Sequence, residues 1–209
     1  MKSVLIIIIL FIATQSQAQQ SLFTAFMHLR FPEKCWVIGH LPQAKKSFTI
    51  SLQVKKTVDS LANLHFLDGD AGGGQLDAYR HSYWMALLSS FLLAEDAKSL
   101  GIAHEKSNYI DFKKRKQEDN SLPDKTDSEM DLWNNDVGLR IGLQHPYVSI
   151  DSLQKIIVNA LLSGEMKIIR KNKNGKAIDI NNQIIPTDSL QHRWITPRLL
   201  VPSNFVRPE

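Results

Sequence analysis

Residues 75–95, QLDAYRHSYWMALLSSFLLAE, decide the fold. Leu76, Trp84, Met85, Leu87, Leu88, Phe91 and Leu92 cover most of the circumference of a helix, and a helix apolar nearly all round belongs in the middle of a bundle. Asp68, Gly69, Asp70 and the glycines 72–74 break the chain ahead of it. Behind it a further helix runs from about Ala94 to His104, continuous with the first or kinked near Glu95. Residues 106–127 are polar and read as a loop, or as a weak helix with a disordered tail.

Working outward, Ser21 to Leu67 is helical in pattern. Phe23, Phe26, Met27 and Phe31 recur at three- and four-residue steps until Pro32 interrupts them. From Pro42, the residues Phe48, Leu52, Val54, Val58, Leu61 and Leu64 mark a second, amphipathic helix. On the other side, Asp127 or Ser128 caps a helix that stops at about Gln144, before Pro146. Asp151 caps the next, with Leu153, Ile156, Ile157, Ala160 and Leu161 as its buried stripe and Gly164 as its stop. The period then changes, and residues 166–180 read as a β-hairpin around Asn174-Gly175. The expected fold is mainly α: one multi-helix, bundle-like domain with a small C-terminal β-hairpin and an extended tail. Its parts are an N-terminal helical region (19–71) packing on the core, a motif-bearing core (72–185) and the tail (186–209).

The first 18 residues read as a signal peptide. Lys2 supplies the positive start, Val4 to Ala13 the apolar run, and Ser16-Gln17-Ala18 the small residues that signal peptidase requires. Cleavage after Ala18 predicts a secreted or periplasmic protein, and no later stretch is long and apolar enough to span a membrane. Cys35 is the one cysteine, so no intramolecular disulfide partner exists; beside Trp36 it reads as a small buried apolar residue. The formal charge of +4 is mild. Lys113 to Lys116 are offset by Glu118, Asp119, Asp124 and Asp127, and the aromatic interleaving of a single-strand binder is missing, so no nucleic acid is expected as a partner.

Three polar clusters stand inside these apolar helices. In the first, Asp77 and His81 lie one turn apart on one face, so the carboxylate can orient the ring for a base or a metal ligand. Arg80 neighbours both Asp77 and Trp84, so a salt bridge and a stack are available without any substrate. The second is His104-Glu105, whose side chains point about 100° apart and share a site only if it lies between them. A histidine in a last helical turn also complements the helix dipole. In the third, Asp131, Asn134 and Asn135 share a face, and two asparagines followed by Gly138 all work against helix stability. Gly138 can admit a second helix at close range. The glycines before Asp77 could face an anion, but they form no P-loop, and a mobile hinge is the favoured reading. Asp68 opens nothing like a full calcium loop, because its twelfth position is Tyr79.

Taken in order, Asp77-x-x-Arg80-His81-x-x-Trp84, His104-Glu105 and Met130-Asp131-x-x-Asn134-Asn135-x-x-Gly138 resemble an uncharacterised bacterial domain family of unknown function. The resemblance spans about Gly72 to Lys167, including the Gly164-Glu165 step. It implies a secreted protein, or a module of larger surface and toxin-like proteins, with these eight charged and amide side chains as shared polar residues. It implies no reaction. The helical zinc phosphoesterases are set aside because their His-x-x-x-Glu spacing is missing, and the secreted phospholipases A2 because their His-Asp dyad and disulfides are missing.

Two functions follow. In the favoured one, a non-catalytic envelope domain uses the polar centre to fix helix packing. In the alternative, an envelope hydrolase of ester or phosphoester substrates uses His81, Asp77, His104, Glu105 and Asp131 as catalytic groups and Arg80, Asn134 and Asn135 to hold substrate. Two histidines and up to three carboxylates suit a divalent metal such as zinc, although no short spacing motif specifies one.

Overall fold

The computed structural model describes residues 22–64, 66–116 and 122–209. The signal-peptide reading at 1–18 lies outside them. After a short helix at 22–28 (α1) come α2 (Phe31–Gly39), α3 (Leu41–Asn63), α4 (Gln75–Ser89), α5 (Ala94–Lys113), α6 (Lys125–Gln144) and α7 (Ile150–Leu162). The chain closes with β1 (Lys167–Ile169), a single-turn α8 (Thr187–Leu190) and β2 (Leu200–Pro202). The fold is mainly helical with a small antiparallel sheet near the C-terminus, as the pattern predicts.

The central helix is α4. It touches α3, α5, α6, α7 and β1, and Leu76, Ala78, Tyr79, Tyr83, Met85, Ala86 and Leu88 are buried all round it. Its closest neighbour is α6, and the reason is local. A Cβ at Gly138 would strike the backbone of Ser82, and one at Gly142 would strike Ala86 and Ser89. The two bare positions lie one turn apart, so the helices meet backbone to backbone along that line. The close-approach reading of Gly138 is correct.

Several local expectations change. Phe23, Met27 and Phe31 are exposed, and Pro32 starts α2 rather than ending a helix, since proline suits a first turn where no N–H partner is needed. Cys35 is exposed, not buried. Helix α4 ends at Ser89, so α5 is separate from it, and α5 continues nine residues past His104. Tyr109 and Phe112 explain the extension by packing on Trp194 of the tail, with centroids 4.7 and 5.3 Å away. The cap of α6 is Asp124, which accepts from the Thr126 and Asp127 amides, and the cap of α7 is Ser149.

The Asn174-Gly175 turn forms, with Gly175 at φ +72° and one antiparallel bridge between Lys171 and Ala177. The ladder of β1, however, is made with β2, pairing Ile168 with Val201. The tail therefore supplies a strand. The glycine-rich loop is also no hinge. Asp68 accepts from the Gln75 and Leu76 amides at the start of α4, while Lys171 and Arg207 bind Asp70 at 2.7 and 2.9 Å. Two cations from distant parts of the chain pin it.

Candidate functional site

Helical phase brings the first and third clusters together across the bare α4–α6 contact. Asp77 and His81 come from α4 and Asp131 from α6, and one ligand-type atom of each lies within 4.8 Å of the others. All three are buried: His81 is 4% exposed, Asp77 and Asp131 5% each. His81 Nε2 is 3.5 Å from Asp77 Oδ1 and 3.4 Å from Asp131 Oδ1. Arg80 donates from Nη2 to Asp77 Oδ1 at 2.6 Å, and the Gly73 amide donates to Asp77 Oδ2 at 2.7 Å. Arg80 Nη2 also comes within 3.4 Å of His81 Nε2.

The second cluster joins as the angle between adjacent helical residues allows. Glu105 is buried, accepts from Asn108 at 3.3 Å and acts electrostatically on Asp131. His104 points the other way. Its Nδ1 is 3.1 Å from Glu33 of α2, its ring meets Trp84 edge-on, and its centroid is 6.2 Å from that of His81. It stands in the middle of α5, so the helix-dipole reading does not apply to it.

The amides divide. Asn134 is fully buried and donates to the Lys167 carbonyl while accepting from the Lys167 amide, both at 2.9 Å. Its amide is engaged by β1 and leaves the substrate-binding set. Asn135 stays beside His81, favouring the protonated ring, yet its amide nitrogen and oxygen are not aligned for a hydrogen bond.

The electrostatics follow from burial. Burial first, then the Arg80 and His104 charges, lowers the His81 pKa well below its ordinary value, so the ring is neutral. Burial first, then Asp77 and Glu105, raises the Asp131 carboxyl well above the carboxylate range. Several buried atoms remain unmatched among the described residues: His81 Nδ1, Asp131 Oδ1 and both polar atoms of the Asn135 amide lack an aligned hydrogen-bond partner. Sequence reasoning could not see this, because satisfaction depends on ångström-scale alignment.

The centre opens on a cleft of about 700 Å³ between α3 and the α4–α5 pair. Trp36, Val54, Val58 and Trp84 are among its apolar walls, and Arg80, His81 and His104 are among its polar lining, together with Glu33, Lys55 and Asp59. Of these wall residues, α3 supplies Val54 and Val58; nothing in the three clusters pointed to them. A smaller hollow of about 340 Å³ near Arg140 and Glu165 contains no residue of the three clusters.

Fold and centre together define the class: a helical domain built round a buried Asp–His–Asp centre whose histidine lines a cleft. The chain belongs to the family described as Domain of unknown function (DUF6973), whose model matches residues 35–165 and so takes in all three clusters. No curated protein and no solved structure matches it. Among the described residues no helix is long and apolar enough to cross a membrane, and Cys35 forms no disulfide.

Proposed function

We propose that this domain is a hydrolase whose reaction takes place where His81, backed by Asp77 and Asp131, meets the cleft. One observation carries the reading: the buried polar centre is only partly satisfied and adjoins a cavity large enough for a small ligand. A network kept for packing alone gains by matching every donor and acceptor, because each unmatched buried group costs about 1–3 kcal/mol. Asn134 meets that standard, and its neighbours do not. The geometry thus favours the catalytic alternative over the packing role that the sequence favours.

The fitting reaction is addition of water to an ester or phosphoester. The water oxygen bonds to the acyl carbon or phosphorus while that atom's bond to the alkoxy oxygen breaks, and the water proton is taken up by the centre and delivered to the departing oxygen, which leaves as the alcohol. Arg80 and His104 face the cleft, where they can hold the negative charge that develops on the attacked group. The apolar walls suit a substrate with a hydrocarbon or aromatic portion.

The test is turnover of chromogenic acyl-ester and phosphoester probes by the wild type and His81→Ala. Expected is measurable hydrolysis of one class, with kcat/KM lowered roughly 10²–10⁴-fold in the variant. Absence of hydrolysis by the wild type, or equal rates in a folded variant, contradicts the reading. The signal-peptide pattern supports action in the bacterial envelope or outside the cell. A mature chain beginning at Gln19 is the expected N-terminal sequence, and retention of Met1 on exported protein would contradict it.

A further inference from the structure

The hydrolase reading leaves open what activates the water, and the centre itself suggests an answer. We propose that Asp77, His81 and Asp131 bind one divalent cation of the zinc or manganese type. The inference rests on the proposed reaction only for its purpose; the site stands on geometry of its own.

Spacing is the first argument. Two ligands held about 2.1 Å from a tetrahedral ion are separated by roughly 3.4 Å. His81 Nε2 is 3.5 Å from Asp77 Oδ1 and 3.4 Å from Asp131 Oδ1. At the same separation Asp131 Oδ1 makes no aligned hydrogen bond, although the residue is 95% buried and that oxygen faces the ring. The pair is poorly arranged to bond to each other and well arranged to share an ion.

Charge is the second. Asp131 lies in the field of the carboxylates Asp77, Glu105 and Asp127, with the Arg80 guanidinium opposing them. Asp127 is paired separately with Arg198, at the far end of the capping box. With Asp131 ionised as a ligand, the buried carboxylates of Asp77, Glu105 and Asp131 concentrate negative charge beside Arg80. A divalent cation neutralises it, and excess buried charge of one sign is otherwise costly.

Support around the ligands is the third. Ligating carboxylates are usually hydrogen-bonded in turn, as Asp77 is at its other oxygen, Oδ2, by the Gly73 amide. The Arg80 guanidinium, a donor only, approaches His81 Nε2 at 3.4 Å, so Nε2 is the unprotonated nitrogen of the neutral ring and the one free to ligate. Two carboxylate oxygens and one imidazole nitrogen suit zinc or manganese better than calcium, which takes oxygen ligands only. His81 lines the cleft, so remaining coordination positions can face substrate and water.

The test is titration of chelator-treated full-length protein with Zn²⁺ and, separately, Mn²⁺, followed by calorimetry and thermal melting. Expected is one ion bound per chain for at least one of the metals, with a rise in melting temperature. Asp131→Asn and His81→Ala should each weaken binding about 100-fold or more, while Cys35→Ser, which removes the exposed thiol, binds as the wild type does. Circular dichroism of each variant separates lost binding from lost folding, and Asp77→Asn serves if either does not fold. Absence of saturable binding by the wild type, or unchanged binding in folded Asp131→Asn and His81→Ala, overturns the site. Hydrolysis that persists in chelator refutes the cation while sparing the reaction. Stoichiometric binding by a protein that hydrolyses neither probe class refutes the reaction while sparing the cation.

Discussion

Asn134 holds in its side chain the donor and acceptor of a peptide group, and α6 uses it as one. By pairing with both backbone groups of Lys167 it fastens a helix to the edge of β1 without a strand. Its neighbours on the same face, Asp131 and Asn135, have no such partners, so one short motif contains a packing residue and two residues of the polar centre. Sequence shows that three polar residues share a face; it does not show which of them finds a backbone to bind. Gly138 is the clearer case, since an interior glycine costs about 1 kcal/mol in helix propensity and invites a compensating contact. Gly138→Ala recovers that propensity but drives a methyl group into the Ser82 backbone. The expected net loss is about 1–3 kcal/mol, read as a lower denaturant midpoint, and the crowding should shift the polar centre as well. A variant as stable as the wild type contradicts the backbone-to-backbone contact.

Between elements, ion pairs and caps set positions that periodicity alone cannot. Glu33 ties α2 to His104 of α5, and Trp36 adds a hydrogen bond to Ser99 at 2.8 Å. Burial by itself would push the Glu33 carboxyl up; the His104 ring, the Arg30 amide and Ser107 more than offset it and hold it below the usual range. A depressed carboxylate contributes stability above its unfolded value, about pH 4.3, and loses it as pH falls through the folded value. The stability difference between wild type and Glu33→Gln should therefore be largest near neutrality and shrink steadily below about pH 4, as followed by urea unfolding across pH. A difference that stays constant to pH 3 would contradict it. The same scale explains what the sequence conceals. The apolar coverage of residues 75–95 made α4 legible as the central helix. The length of α5 was not legible, because Tyr109 and Phe112 are stabilised by Trp194, more than 80 residues away. Nor was the partner of β1, because Leu200 to Pro202 look like tail until Ile168 pairs with them.

Across the whole molecule, one helix buried on all sides carries both the core and the chemistry. Because α4 is enclosed by α3, α5, α6 and α7, polar groups such as Asp77 and His81 on it are buried, and the fold must either match each group or have another use for it. Arg198 and Arg207 show that the chain can match distant charges, clamping Asp124, Asp127, Asp68 and Asp70 from the tail. At Asp77, His81 and Asp131 that matching is incomplete, which is the basis for assigning the centre to function. Groups retained for function lower stability, whereas groups retained for packing raise it. The most direct measurement is the equilibrium unfolding free energy of chelator-treated wild type and Asp131→Asn, whose amide keeps the shape and removes the ionisable group. The account predicts that the variant is as stable as the wild type or about 1–2 kcal/mol more so, because it removes a carboxyl whose ionised form is disfavoured by burial and by Asp77 and Glu105. A loss of about 3–5 kcal/mol, the usual consequence of breaking a buried ion pair, would mean that the centre holds the helices together and would contradict its assignment as a functional site.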